Sequence, residues 1–213
     1  MIIALDGPAA SGKGTLGRAV ARHYGLLYLD TGSLYRAVAR DVIASGGNPE
    51  DAETAADAAR QLDRETLDDP ALRDPETGAA ASLVASHPAV RQALLEYQRT
   101  IAASPEGAVI DGRDIGTVVC PDANVKLFVT ASAEERARRR QAELEAAGGG
   151  ENYDQVLAEI LKRDERDSAR AVSPLKPAQD AHLLDTTDLG IEAAFKAAVE
   201  LIDAATESAG RAV

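Results

Sequence analysis

The chain has 213 residues, 45% of them hydrophobic and 27% charged, enough to bury a core without covalent staples. Its formal net charge of −12 argues against general binding to nucleic acid or anionic membranes, and its single cysteine, Cys120, excludes an internal disulfide. Phosphate binding must therefore come from local clusters among its 18 arginines and five lysines.

The first predicted element is a short strand at Ile2–Leu5. It leads into Gly7, Pro8, Ala9, Ala10, Ser11, Gly12, Lys13, Gly14 and Thr15. A helical pattern follows (Leu16, Ala19, Val20, Tyr24) and stops at Gly25. Strand, glycine-rich loop and helix together form the context of a phosphate loop. Backbone N–H groups curl around phosphate oxygens, and the helix points its positive end at the same anion. Lys13 is the cation for the β- and γ-phosphates. The hydroxyl stands one place later than usual, at Thr15, because Gly14 follows the lysine.

A second apolar run, Leu26–Leu29, precedes Asp30-Thr31-Gly32-Ser33-Leu34-Tyr35-Arg36. Gly32 is read as a turn, with Arg36 placed to reach back to an acceptor phosphate. The bland alternative is a surface arginine on an ordinary helix. Asn48-Pro49-Glu50-Asp51 reads as an N-cap, a first-turn proline and first-turn acids. From about 60 to 86 the pattern is irregular, with turns at Leu67–Pro70 and Asp74–Gly78. Pro88 opens a helix towards Ala103, closed by Ser104–Gly107.

The third run, Ala108–Ile110, ends at Asp111-Gly112-Arg113-Asp114-Ile115-Gly116-Thr117. Asp111 stands where a phosphate-loop enzyme places the acid that holds magnesium, here through water, together with Thr15. Arg113 is a phosphate ligand, and Asp114 is an acceptor without a structural task. A tight turn with local ion pairs is the competing reading. Val125–Val129 is the fourth strand. Ser132 and Glu135 suggest a capping box, Glu134→Arg138 and Glu135→Arg139 pair along the helix, and Gly148–Gly150 end it.

Val156, Leu157, Ile160 and Leu161 predict another helix. On it Arg163, Arg166, Asp167 and Arg170 fall within an arc of about 100°. Like charges so arranged call for an anion between them; a solvated helix laced with i,i+4 pairs is the alternative. A last strand at His182–Leu184 and an amphipathic helix from Ile191 to Ala205 complete the chain.

Short buried runs alternating with helices predict an α/β fold, a parallel sheet with helices on both faces. Its ligands belong at the carboxyl ends of the strands. The strings Asn-Lys-x-Asp and Asp-x-x-Gly of GTPases are missing from the sequence. His23, His87 and His182 are scattered without metal-ligand spacing, and Cys120 reads as a buried small residue. No apolar run reaches membrane length, and the opening strand leaves no room for a targeting peptide, so a cytoplasmic location is expected.

The strings GPAASGKGT, LDTGSLYR, DGRDIGTVV, RDERDSAR and LDTT occur in that order from about residue 2 to 203. Together they resemble the bacterial cytidylate kinases of the nucleoside monophosphate kinase family. The resemblance implies a P-loop kinase fold with a five-stranded parallel sheet, a small monophosphate-binding insert and a lid. The core is expected at 1–36, 104–140 and 171–213, the insert at about 37–103 and the lid at about 141–170. It implies ATP-dependent phosphorylation of CMP and dCMP with Mg2+, by a monomer. Thr31, Arg36, Arg113 and Arg170 would surround the acceptor phosphate or moving phosphoryl. Ser82, Arg91 and Asp114 would read cytosine, and Arg163 and Asp167 would contact the pentose. Lys13, Arg113, Arg163, Arg166 and Arg170 are the candidate catalytic cations. Residues 60 to 78 are too short and turn-rich for the extra β element of many members. A kinase for UMP or another small phosphate acceptor, and a nucleotide-binding regulator without turnover, are the alternatives.

Overall fold

A computed structural model describes residues 1–67, 69–150 and 152–211. Asp68 of the predicted 67–70 turn, Glu151 of the predicted lid, and residues 212–213 lie outside the described residues. Five strands form one parallel sheet in the order β2-β3-β1-β4-β5: β1 (Ile2–Asp6), β2 (Leu27–Asp30), β3 (Ala108–Gly112), β4 (Val125–Thr130) and β5 (His182–Asp185). Each ends one or two residues beyond its apolar run. Asp6, Asp30, Asp111 and Asp185 thereby become strand-end residues rather than loop residues. The central strands β1 and β3 are covered almost throughout. The edge strand β5 is not, and its Leu183 is 65% exposed, so that run is a half-covered edge and not a buried strand.

The chain divides into two compact units, Met1–Tyr28 with Ala102–Val213, and Leu29–Ile101. In the first, Ile3, Leu5, Val109, Val125, Leu127 and Val129 of the sheet pack with Leu16 and Val20 of α1 (Lys13–Tyr24). Ala198 and Ile202 of the last helix, Ile191–Arg211, join the same core. The Tyr24 hydroxyl donates to Asp203 at 2.7 Å, tying α1 to that helix. Two further helices of this unit, Ala133–Ala146 and Tyr153–Ser168, share a small core of Ala137, Leu144, Val156 and Ile160.

The second unit is built from α2 (Thr31–Ala44), α3 (Ala52–Arg60), α4 (Pro75–Val84) and most of α5 (Pro88–Ala102), with 3-10 turns at Arg64–Thr66 and Pro70–Arg73. Leu34, Val38, Val42, Val84, Val90 and Leu94 lead its core. Helix α4 takes the second part of the irregular stretch expected at 60–86, including the turn expected at Asp74–Gly78, while the described residues between α3 and α4 form only the two 3-10 turns. Alanine and glycine fill much of α4, so it carries little apolar–polar contrast, although Ala80, Ala81, Ser82 and Val84 are buried. The N-cap of α3 is Asp51, which accepts from Thr54 N at 2.7 Å; Asn48 instead closes the preceding turn by accepting from Glu50 N. The helices after β4 are α6 (Ala133–Ala146), α7 (Tyr153–Ser168) and α8 (Ile191–Arg211). Ser132 caps α6, but Glu135 does not reach back to it. Glu135 binds both Arg138 and Arg139, so the predicted Glu134–Arg138 pair gives way to Glu135–Arg138. The reciprocal capping box is at Asn152 and Gln155, heading α7.

Candidate active site

The loop between β1 and α1 turns on Gly7, whose φ is 147°. A Cβ there would overlap the carbonyl oxygen of Val129, so glycine is required by close approach as well as by φ. Ala10 and Gly12 also have positive φ, 58° and 86°. The Lys13 ammonium is buried and folded back on the loop, donating to Pro8 O at 2.8 Å and Ser11 Oγ at 3.4 Å. It lies 4.0 Å from Asp111 Oδ1. Asp111 ends its apolar run on β3, where Tyr28 donates to its other oxygen at 3.2 Å. Thr15 is exposed on the first turn of α1.

A second charged cluster centres on Asp167, which is 1% exposed. Its carboxylate lies 3.2 Å from Arg113 Nε, 2.5 Å from Arg170 Nη2 and 3.9 Å from Arg163 Nε. Burial works to raise its pKa, but the Arg113, Arg170 and Arg163 charges outweigh it and hold the carboxyl below the usual value. Three guanidiniums around one carboxylate leave a local charge of about +2 in a chain of net charge −12. Helix α7 ends at Ser168, so Arg170 reaches Asp167 from beyond the helix and not from the continuous face expected. Arg166 takes no part in the ion pairs around Asp167 among the described residues, and the four-residue face reduces to three.

Asp114 is buried, and its carbonyl accepts from Val118 N and Val119 N, which closes a π-helical turn over Ile115–Val119. Asp6, at the end of β1, accepts from Ile115 N and Gly116 N at 2.7 Å each. Burial pushes the Asp6 carboxyl up to about 6; the hydrogen bonds from Gly116 and Ile115 and the charge of Lys13 oppose this, and the charge of Asp114 adds to it.

In the second unit, Thr31 is buried at the start of α2, and Arg36 Nη2 holds Asp30 at 2.6 Å. The buried Arg36 Nε has no hydrogen-bond partner among the described residues. Gly32 lies inside the helix, not in a turn. A Cβ there would meet Asp30 Oδ1 at 2.9 Å and Arg36 Nη1 at 3.1 Å, so its absence makes room for the ion pair. Ser82 is buried on α4. Arg91 on α5 donates to Ala85 O at 3.3 Å and lies 5.5 Å from the Tyr35 ring centroid. The predicted residues thus form two sets. Lys13, Asp111, Arg113, Asp114, Arg163, Asp167 and Arg170 belong to the first unit, and Thr31, Arg36, Ser82 and Arg91 to the second.

Residues 3–204 match the family model described as cytidylate kinase. A "Cytidylate kinase" of Azorhizobium caulinodans is 58% identical over 205 residues, covering 96% of this chain and 99% of its own. One of Nitrobacter winogradskyi is 55% identical over 214 residues, covering all of both chains. This chain belongs to the cytidylate kinase family. Among solved structures, a gluconokinase from Sinorhizobium meliloti 1021 is 16% identical with a TM-score of 0.52, over 97% of this chain and 94% of that one, and shares the fold.

Membership makes the chain a nucleoside monophosphate kinase. Two supports of the loop between β1 and α1 have no counterpart in the sequence reading. Arg136 is buried on α6, where it donates to Ala9 O at 3.3 Å, to Ala131 O at 3.0 Å and doubly to Asp164 at 2.6 and 3.1 Å. Arg139 donates to Thr186 O and Oγ1, and Thr186 Oγ1 lies 3.3 Å from Ser11 O. Glu134, Glu135, Arg136, Arg138, Arg139 and Arg140 look alike along a charged helix, so no local signal singles out Arg136. Thr186 stands in the LDTT string, the one available hint.

Magnesium fits the donor set. Asp111 offers one buried carboxylate at a strand end and Thr15 a hydroxyl in the first turn of α1. No cluster of three or more His, Cys, Asp or Glu gathers among the described residues. Mg2+ commonly takes one or two carboxylates, substrate phosphates and several waters. No helix among the described residues is long and apolar enough to cross a membrane.

Proposed function

We propose that this chain transfers the γ-phosphoryl group of ATP to CMP and dCMP, giving ADP and CDP or dCDP. The observation that carries the reading is the Asp167 cluster, three arginines sharing one carboxylate in a strongly acidic protein. A dianionic phosphate matches the charge left over.

Phosphoryl transfer of this kind depends on positioning and charge neutralisation, and it forms no covalent enzyme intermediate. The amides of Gly7–Gly14 cradle the ATP phosphates. Lys13 leaves its Pro8 and Ser11 acceptors for the β- and γ-phosphates. Arg113 and Arg170 share the charge on the moving phosphoryl, while Arg163 and Asp167 hold the pentose. Arg166 is retained only as a peripheral charge on the same helix. Thr31 and Arg36 hold the acceptor phosphate, and Ser82, Arg91 and Asp114 read the base. Asp111 and Thr15, through water, would hold Mg2+, whose chemistry is to neutralise charge on the transferring phosphates.

The all-helical unit Leu29–Ile101 supports assigning the acceptor insert to about 37–103, and the α6–α7 pair supports a lid at about 141–170. Closure there would exclude water from the reaction. We further read the enzyme as a cytoplasmic monomer, in keeping with its nucleotide substrates.

A coupled assay of ADP release, run with CMP, dCMP, UMP and AMP, tests the function. CMP and dCMP should give turnover well above that with UMP or AMP. ADP release no faster with CMP or dCMP than with ATP alone would overturn it.

A further inference from the structure

Asp6 has no place in the phosphate-transfer chemistry above, yet it is a 4% exposed carboxylate one residue ahead of the phosphate loop. Both its oxygens are used. Oδ1 accepts from Ile115 N and Oδ2 from Gly116 N, each at 2.7 Å. These are the first two N–H groups of the turn Ile115–Val119, and the initial N–H groups of a helical turn find no carbonyl within it. Asp114, directly before the turn, gives no side-chain cap. Its carbonyl accepts from Val118 N and Val119 N. Asp6 therefore caps this turn from a different strand, across 109 residues of sequence.

The arrangement is specific to a carboxylate. Each of the two N–H donors has an oxygen of its own, a pairing that serine or asparagine, with one acceptor oxygen, does not reproduce. Gly116 leaves the approach open: a Cβ there would stand 3.4 Å from Asp6 Oδ2 and 3.0 Å from Lys126 Cδ. Burying a carboxylate is costly even when it is hydrogen-bonded. A turn held only for stability could be capped locally by a neutral side chain.

We propose that Asp6 is a positioning residue for base recognition, holding the Ile115 and Gly116 amides so that Asp114 and Arg113 keep a set orientation against the phosphate loop that begins at Gly7. The proposal rests on the function given above, in which Asp114 meets the exocyclic amine of cytosine. Asp6 touches neither nucleotide; it acts through the backbone of the turn.

The test compares wild type, Asp6→Asn and Asp114→Asn by coupled ADP release with CMP and UMP at varied ATP. Asparagine keeps the size of the side chain but turns one acceptor into a donor facing a donor. Asp6→Asn should raise the KM for CMP at least about tenfold while the KM for ATP stays within about twofold. Its preference for CMP over UMP should narrow in the same direction as that of Asp114→Asn. Asp6→Ser, which leaves one acceptor oxygen on a shorter side chain, should give the same split and serves if Asp6→Asn does not fold. A folded Asp6→Asn or Asp6→Ser with unchanged CMP KM and unchanged base preference overturns the proposal. So does an equal rise in both KM values, which would assign Asp6 to the phosphate loop alone. A wild-type enzyme silent with CMP would instead overturn the functional reading, and this proposal with it.

Discussion

Lys13 and Arg170 are each bonded within the protein, Lys13 to loop oxygens and Arg170 to Asp167. On the proposed function Arg170 keeps Asp167 as its orienting partner, whereas Lys13 exchanges Pro8 and Ser11 for phosphate oxygens, and each then sets a fixed charge against the transition state. Lys13→Ala or Arg170→Ala should lower kcat by about 100-fold or more. Steady-state kinetics at saturating CMP would show it; a rise in KM with kcat intact would mean uniform binding instead. Asp6 and Asp167 make opposite contributions to acid behaviour. The Asp6 pKa is raised to about 6 by burial, against about 3.9 when unfolded, so between those values the folded state holds a proton that the unfolded chain has lost. Its contribution to stability therefore falls as pH rises from about 4 to about 6. Asp167 is depressed, so its contribution is present above about 3.9 and is lost as pH falls through its lower folded value. Urea unfolding of Asp6→Asn between pH 4 and 6 should show a steeper gain of stability with pH than wild type, because the opposing slope is gone.

Helix α7 carries Arg163 and Asp167 at its far end, and its start is set by the Asn152–Gln155 capping box. Loss of the cap leaves amide donors at the first turn unsatisfied. Asn152→Ala should cost about 1 kcal/mol of stability, read as a lower denaturant midpoint at unchanged slope. Elements like this one differ in how plainly they could be read. Strands β1, β3 and β4 were legible because continuous apolar runs bounded by Asp or Gly have one economical fate in an α/β chain. Helix α4 was not, because Gly78, Ala79, Ala80 and Ala81 carry no apolar–polar alternation to show that the last two are the buried ones. The cap at Asn48 was misplaced by three residues to Asp51, since either side chain can accept an amide and only the path of the chain chooses.

Across the molecule, net charge and site charge have opposite signs. The net charge of −12 repels free nucleotides at long range, and on the proposed function the arginine cluster overcomes that at short range. Nucleotide binding should then report on folding: ATP at about 100 times its Kd should stabilise wild type by about 2.7 kcal/mol. A thermal-shift titration should show a much smaller rise for Lys13→Ala at the same ATP concentration. The order of the five strands, the helices other than α4, the strand–glycine-rich loop–helix unit and the family were determined by the sequence alone, because they depend on spacings of one to four residues and on strings in fixed order. The supports of the site were decided only by the tertiary structure. Asp6 against Ile115 and Gly116, Arg136 against Ala9 and Asp164, and Asp167 against Arg113 join residues 28 to 127 positions apart. A buried carboxylate takes whichever donors the folded backbone brings within about 3 Å, and no local periodicity encodes that choice.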